Sequence, residues 1–205
     1  MESHARGVHP MTGSFLMDGK LRRLGVIGPK CVGKSSVILR FSEDVFEEHY
    51  TPTIEDLFLV STNVDNVAFN CEVLDSAGQD EVSKFGGQLT IGVHGYLLVF
   101  SLRDRETFDL MQHVNHNLLV SLGGQSAQSV PRVLVGNQAD AESERAVGKE
   151  DAEALAQSLR MPYVECSALT GKGVTEAFHT LLKEVERMTA HGTEAGKGKK
   201  KCVIS

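Results

Sequence analysis

From about residue 21 to about residue 189, short apolar runs alternate with apolar stripes of helical period. This rhythm reads as βα units that feed a parallel sheet. Leu24–Ile27 reads as a first strand, followed by a glycine-containing loop. A helix from about Gly33 then carries Val37, Ile38 and Phe41 at helical spacing. Residues 56–63 and 67–74 predict a strand pair, the second alternating Phe69, Cys71 and Val73. Tyr96–Phe100 is a continuous apolar run, as expected of a strand covered on both faces. Phe108, Met111, Val114 and Leu118 predict one helix, and Val133–Val135 another buried strand. Ala152, Leu155, Ala156 and Leu159 predict the next helix, with Tyr163–Cys166 as the last strand. Val174, Ala177, Phe178, Leu181, Leu182, Val185 and Met188 form the cleanest stripe and close the series. Residues 121–131 read as a long loop without identifiable chemistry.

This organisation predicts a single α/β domain over 21–190. Residues 1–20 are polar and rich in Gly, Ser and His, and read as a disordered extension. They hold no apolar run suited to a secretory signal core. Residues 191–205 read as a flexible basic tail. No stretch reaches the roughly 20 apolar residues that span a bilayer.

Composition narrows the function classes. The net charge of −6 argues against general nucleic-acid binding. Positive charge is instead concentrated at Lys197, Lys199, Lys200 and Lys201, just before Cys202. The four cysteines, Cys31, Cys71, Cys166 and Cys202, form no CxxC pair and read as free thiols of an intracellular protein. His113 and His116 lie three apart on a predicted helix, but have no partners at metal-ligand spacing and read as exposed. The acidic positions at Glu142–Glu144 and Glu150–Asp151 read as solvated surface.

Gly28-Pro29-Lys30-Cys31-Val32-Gly33-Lys34-Ser35 fits GxxxxGK[ST], directly after a strand and opening a helix. Glycines let such a loop wrap closely around phosphates. Successive backbone N–H groups from Gly28 to Ser36 and the helix N-terminus then favour the anion. Lys34 would reach the β- and γ-phosphates, and the Ser35 hydroxyl would ligate Mg²⁺. Asp75, in Asp75-Ser76-Ala77-Gly78-Gln79, follows an apolar strand and so faces the same crevice, where it can hold Mg²⁺ through water. Upstream, Thr53 in Tyr50-Thr51-Pro52-Thr53-Ile54-Glu55-Asp56 could complete the metal sphere when a γ-phosphate is present.

Asn137-Gln138-Ala139-Asp140 ends one buried strand and Ser167-Ala168 the next. A carboxylate at Asp140 can accept from the N1–H and N2–H₂ edge of guanine. Adenine lacks that donor pair, and an unpaired buried carboxylate is costly. The Ala168 N–H can meet the guanine O6. These residues favour GTP over ATP.

GPKCVGKS, TPTIED, DSAGQ, NQAD and CSAL stand in the order and spacing of the Ras superfamily, which the chain resembles over about residues 21–190. Within it, Gln79-Asp80-Glu81-Val82-Ser83-Lys84-Phe85 is similar to the second switch of the Rheb subfamily. The resemblance implies a three-layer P-loop GTPase domain, with a mostly parallel six-stranded sheet and helices on both faces. It implies a switch that cycles between GTP and GDP and hydrolyses GTP slowly. Phe46 would stack on the guanine edge, Tyr50 would close over the phosphates and Gln79 would orient the attacking water. Residues 46–56 and 76–92 would be the switches that meet effector, exchange factor and activator. The Rheb resemblance also implies growth control through the TOR kinase, with the protein acting as a monomer.

Three positions depart from the family pattern. Lys30 stands where most Ras relatives have glycine and Rheb has a basic residue. A side chain there crowds the γ-phosphate and the path of an arginine finger, which predicts slow hydrolysis and a high GTP-bound fraction. Gln138 and Leu169 replace the usual lysines beside the nucleotide, which predicts looser holding by about 1 kcal/mol per lost contact. Four readings stay open: a slow enzymatic switch of the Rheb kind, a divergent Ras with other effectors, a GTP-loaded adaptor that hardly hydrolyses, and a nucleotide kinase. The last lacks an acceptor site and an Arg-rich lid.

Cys202-Val203-Ile204-Ser205 fits a CaaX signal with Ser last, which points to farnesylation. One prenyl chain anchors only marginally, and the neighbouring lysines supply a second signal of about 1 kcal/mol each at an anionic surface. The expectation is reversible attachment to the cytoplasmic face of an endomembrane or the plasma membrane, with a cytosolic pool.

Overall fold

The computed structural model describes residues 18–47, 55–76, 85, 87–124 and 129–197. Among these residues six strands form one sheet in the order β2-β3-β1-β4-β5-β6. These are β1 (Lys20–Ile27), β2 (Glu55–Val64), β3 (Val67–Ser76), β4 (Gly95–Ser101), β5 (Arg132–Asn137) and β6 (Tyr163–Glu165). Only β2 runs antiparallel, against β3; every other pairing is parallel. The carboxyl ends of β1, β3, β4, β5 and β6 therefore share one edge of the sheet, where open α/β folds bind ligands.

The single antiparallel step follows from a two-residue turn. Asp65 and Asn66 both take left-handed φ, 50° and 65°, between the paired Val64 and Val67. Asp and Asn tolerate that region, and a turn with two positive φ values matches the twist of a hairpin. Parallel neighbours need crossover helices, and the chain supplies α1 (Lys34–Glu43), α2 (Arg105–Asp109), α3 (Met111–Ser121), α4 (Lys149–Ser158) and α5 (Val174–Lys197).

These helices cover both faces. On one, α1 and α5 bury Val37, Ile38, Phe178, Leu181 and Leu182 against β1, β3 and β4. There Phe41 stacks on Phe178 with ring centroids 3.9 Å apart. On the other, α2, α3 and α4 bury Phe108, Met111, Leu118 and Ala152 against Ile27, Leu98, Phe100 and Leu134. Every residue of β4 and β5 is buried, which accounts for their unbroken apolar runs.

Two details differ from the sequence expectation. The helix expected around Phe108–Leu118 is divided at Leu110, whose φ of −71° and ψ of −16° flatten the turn. Phe108 and Met111, on either side of that step, are both buried in the same core. At the other end, α5 continues to Lys197, so the expected boundary at 190 falls inside a helix. Its apolar stripe stops near Met188, but no proline follows to end the backbone ladder. Lys197 is thus the last residue of α5. Residues 1–17 and Lys199, Lys200, Lys201 and Cys202 lie outside the described residues. No helix among the described residues is long and apolar enough to cross a membrane.

Candidate functional site

The first site element is the turn between β1 and α1. Gly28 lies so close to β4 that a Cβ would overlap the Val99 carbonyl oxygen. Gly33 is the N-cap of α1 at φ 85°, and a Cβ there would come within 2.5 Å of Asn137 Nδ2. Between them Cys31 also takes a left-handed φ of 60°. Such alternation turns backbone N–H groups toward one concavity, a geometry suited to an anion. Among the described residues, no side chain caps α1. The first N–H groups of a helix have no carbonyl partner within it, so this end adds positive potential to the loop.

Lys34 is 6% exposed, and its ammonium donates to the Pro29 carbonyl at 2.8 Å, spanning the loop from within. Burial lowers its pKa from the usual 10.5 to about 8, while the Asp75 carboxylate and then Cys31 pull it partly back. Lys30 and Cys31 sit exposed on the rim. Asp75 is 1% exposed and pairs in register with Val26 of β1, just before the loop. Beside it the Ser76 hydroxyl donates to the Val26 carbonyl at 2.8 Å and fixes β3 to β1 at this edge. Ser35 and Asp75 are hard oxygen donors of the kind Mg²⁺ takes. Together with a cradle that only glycine permits at Gly28 and Gly33, they fit a metal-bound phosphate chain.

The second element is built at the ends of β5 and β6. Asn137 is 1% exposed. Its Nδ2 donates to the Val32 carbonyl at 2.9 Å, and its Oδ1 accepts from the Ala168 N–H at 3.1 Å and from Cys166 Sγ at 3.6 Å. The phosphate loop and the Ser167-Ala168 turn are therefore tied through one side chain. The Ala168 N–H, expected to meet a base oxygen, here donates to Asn137 Oδ1. That bond could not be read from sequence because it depends on how β5 and β6 register.

Asp140 is exposed, and the Ser167 hydroxyl donates to its Oδ1, which orients the carboxylate. The Ser167 hydroxyl also accepts from the Thr170 N–H at 3.1 Å. Gln138 has a φ of 69°, and its amide oxygen accepts from the Ser101 hydroxyl at the end of β4. That bond draws the side chain toward β4. Leu169 is 49% exposed. Phe46 is half-buried against the α1 and α5 core, to which Ala168 also belongs.

The structure thus brings together Gly28, Lys30, Cys31, Val32, Gly33, Lys34, Ser35, Ser36, Asp75, Asn137, Gln138, Asp140, Ser167 and Ala168 along one sheet edge. Tyr50, Thr53, Gly78 and Gln79 lie outside the described residues. Of the expected switches, β2 begins at Glu55, and the second leaves β3 at Ser76 and is described again at Phe85, which is buried, and from 87. Leu89 there is buried, and its carbonyl accepts from the Tyr96 hydroxyl at 2.6 Å. His113 and His116 are exposed, and no cluster of His, Cys, Asp or Glu suited to a metal occurs among the described residues.

One contributor escaped the sequence reading. Arg40 on α1 donates to the carbonyls of Ala168 and Leu169, both at 2.8 Å. Its spacing from Lys34 looks like ordinary helix surface, and no local signal marks it.

A family model described as the Ras family matches residues 23–187. The chain is 37% identical over 186 residues to the GTP-binding protein rhb1 of Schizosaccharomyces pombe, covering 91% of this chain and 98% of that protein. It is 36% identical over 168 residues to a GTP-binding protein Rheb homolog of Dictyostelium discoideum, covering 82% and 89%. Identity to the GTP-binding protein Rheb of Homo sapiens is 32% over 185 residues, covering 90% and 97%.

Proposed function

Because this chain belongs to the Ras family of small GTPases, we propose that the edge formed by Gly28–Ser36, Asp75, Asn137–Asp140 and Ser167–Ala168 is its guanine-nucleotide site. The protein is a GTP-binding, GTP-hydrolysing molecular switch that meets protein regulators and effectors. The observation that carries the assignment of its site is the Asn137 side chain, which holds Val32 of the phosphate loop and Ala168 of the base turn at once. One crevice so tied can grip phosphates at one end and read a ring at the other.

In this reading the loop N–H groups and Lys34 bind the β- and γ-phosphates and offset the charge that develops as the terminal phosphoryl departs. Moving the Lys34 ammonium from the Pro29 carbonyl to a phosphate exchanges a neutral acceptor for a charged one, a stronger bond. Ser35, Thr53 and Asp75 would hold Mg²⁺, which when bound neutralises charge on the phosphate oxygens. Asp140, oriented by Ser167, accepts from the guanine edge. Gln79 orients the attacking water, and Tyr50 and Phe46 close over the nucleotide. Residues 46–56 and 76–92 respond to the γ-phosphate.

Lys30 on the loop rim favours slow turnover. A GTP-loaded state that hydrolyses little is the second reading this residue supports. The relatives named Rheb, with the CaaX signal at Cys202 and the lysines before it, support a monomeric, prenylated protein. It would sit on the cytoplasmic face of a membrane, keep a cytosolic pool and act in TOR-linked growth control.

The test is a competition titration of the purified chain with a fluorescent guanine nucleotide against GTP, GDP and ATP, with and without Mg²⁺. Mg²⁺-dependent displacement by GTP and GDP at concentrations where ATP does nothing is expected. Equal displacement by ATP would refute the assignment.

A further inference from the structure

Arg40 lies six residues beyond Lys34 on α1, and all three of its guanidinium nitrogens are engaged. Nε donates to the Ala168 carbonyl and Nη2 to the Leu169 carbonyl, both at 2.8 Å. Nη1 donates to the Asp44 carbonyl at 2.9 Å and to Asp44 Oδ1 at 3.1 Å. Asp44 closes α1 in the left-handed region at φ 54°, two residues before Phe46. On the other side Gly171, at φ 82°, passes over the stem, where a Cβ would lie 3.5 Å from Arg40 Cδ.

One planar fork therefore spans three backbone carbonyls in two segments, the base turn and the end of α1. Arginine is suited to this because its donors are fixed in one plane; a lysine ammonium can approach such carbonyls only as a point charge. The bonds are placed where they matter for recognition. Ser167, which orients Asp140, immediately precedes the two held carbonyls. The half-exposed Leu169 side chain brings no charged group of its own to that turn.

We propose that Arg40 is a positioning residue for base recognition. It holds the Ala168–Leu169 backbone from behind, so that Ser167 and Asp140 present a fixed edge, and it links that turn to the helix end leading to Phe46. This rests on the guanine-nucleotide reading of the site and adds the residue that makes its base end rigid. Among the described residues, Arg40 bonds to none of those placed around the phosphates, so its loss should leave the hydrolytic step alone.

The experiment compares the full chain with Arg40→Ala, Arg40→Lys and Asp44→Asn in chase measurements of GDP release. Binding of GDP and of inosine diphosphate, which lacks the 2-amino group that would donate to Asp140, is measured in parallel. Arg40→Ala and Arg40→Lys should each speed GDP release about tenfold, lysine failing to rescue because it cannot span two carbonyls. Asp44→Asn, which keeps a residue tolerant of the left-handed region and removes only the charge of a side chain that is 91% exposed, should match the unaltered chain. In the Arg40 variants the preference for GDP over inosine diphosphate should shrink, while single-turnover hydrolysis of bound GTP keeps its rate constant. A purely structural Arg40 would weaken both diphosphates by one factor. That result, unchanged GDP release, or full rescue by lysine would overturn the proposal. Failure of the unaltered chain to bind GDP would overturn it together with the site assignment, whereas GDP binding indifferent to Arg40 overturns this proposal alone.

Discussion

Asn137 Nδ2 donates to the carbonyl oxygen of Val32 at 2.9 Å, although the two residues stand 105 positions apart in the chain. The bond crosses from the end of β5 to the loop after β1 and is fully buried. Because the same side chain also accepts from Ala168, small displacements at either end of the crevice are felt at the other.

Asn137→Ala would strip the partner from a buried carbonyl and a buried N–H together. Leaving such groups unsatisfied costs about 1–3 kcal/mol each. We expect a loss of about 2–5 kcal/mol in a denaturant titration, and faster GDP release. A variant as stable as the parent would show that water replaces the side chain.

Lys30 stands exposed on the loop rim. Replacing it with glycine opens room at the γ-phosphate and for an activator's arginine. Single-turnover hydrolysis by Lys30→Gly should rise, and stimulation by an Arg-finger activator should appear or grow, by about tenfold or more. If both stay level, Lys30 does not restrain the chemistry.

The described cysteines should differ sharply in reactivity. Burial pushes the Cys71 thiol up to about 12, with Arg22 partly opposing. Cys166 is pushed up to about 12 by burial and by the Asp140 and Glu165 carboxylates. Thiolates are the reacting form, so alkylation at neutral pH should mark Cys31, which is exposed beside the phosphate loop, and spare the other two. Peptide mapping by mass spectrometry reads this out, and bound GTP should slow labelling of Cys31. Rapid labelling of Cys166 in the folded protein would contradict the packing described.

Glu165 takes a bidentate grip from Arg145, at 3.1 and 2.7 Å, and a bond from the Tyr163 hydroxyl at 2.9 Å. Burial alone would raise its pKa, but these bonds outweigh it and the net direction is down. A carboxylate depressed in the folded state adds stability above its unfolded value and loses it as pH falls through the folded one. At neutral pH Arg145→Gln should therefore cost about 1–2 kcal/mol, since the pair is only partly buried. The gap from the parent should close as pH drops below about 4. Thermal melts at pH 7, 5 and 3.5 check this; a gap independent of pH would assign the effect to packing.

Cys202→Ser should move the protein from membrane pellet to supernatant in cell fractionation. Replacement of Lys197, Lys199, Lys200 and Lys201 by neutral residues should weaken partitioning to anionic vesicles by up to about a thousandfold, in keeping with about 1 kcal/mol per basic residue at such a surface. Unchanged pelleting of Cys202→Ser would exclude prenylation as the anchor.

The amino-acid sequence alone determined the βα rhythm, the phosphate loop, the DSAGQ and NQAD segments and most of the core. Each depends on local spacing: glycines where a Cβ cannot fit, apolar residues at the period of their element, carboxylates just past a strand. Where β4 and β5 are buried on both faces, the apolar runs Tyr96–Phe100 and Val133–Val135 mark the middle of each strand, and the structure extends both at their ends. The Asp65-Asn66 turn was likewise local chemistry.

Tertiary structure decided what local spacing does not carry. The register of β5 and β6 aimed Asn137 at both Val32 and Ala168. The angle of α1 across the sheet brought Arg40 onto carbonyls 128 and 129 residues away. Such bonds join side chains to backbone atoms, and a backbone carbonyl is the same in every residue. Nothing in the identity of Ala168 or Leu169 announces which cation will hold it; only the packing of helix on sheet settles that.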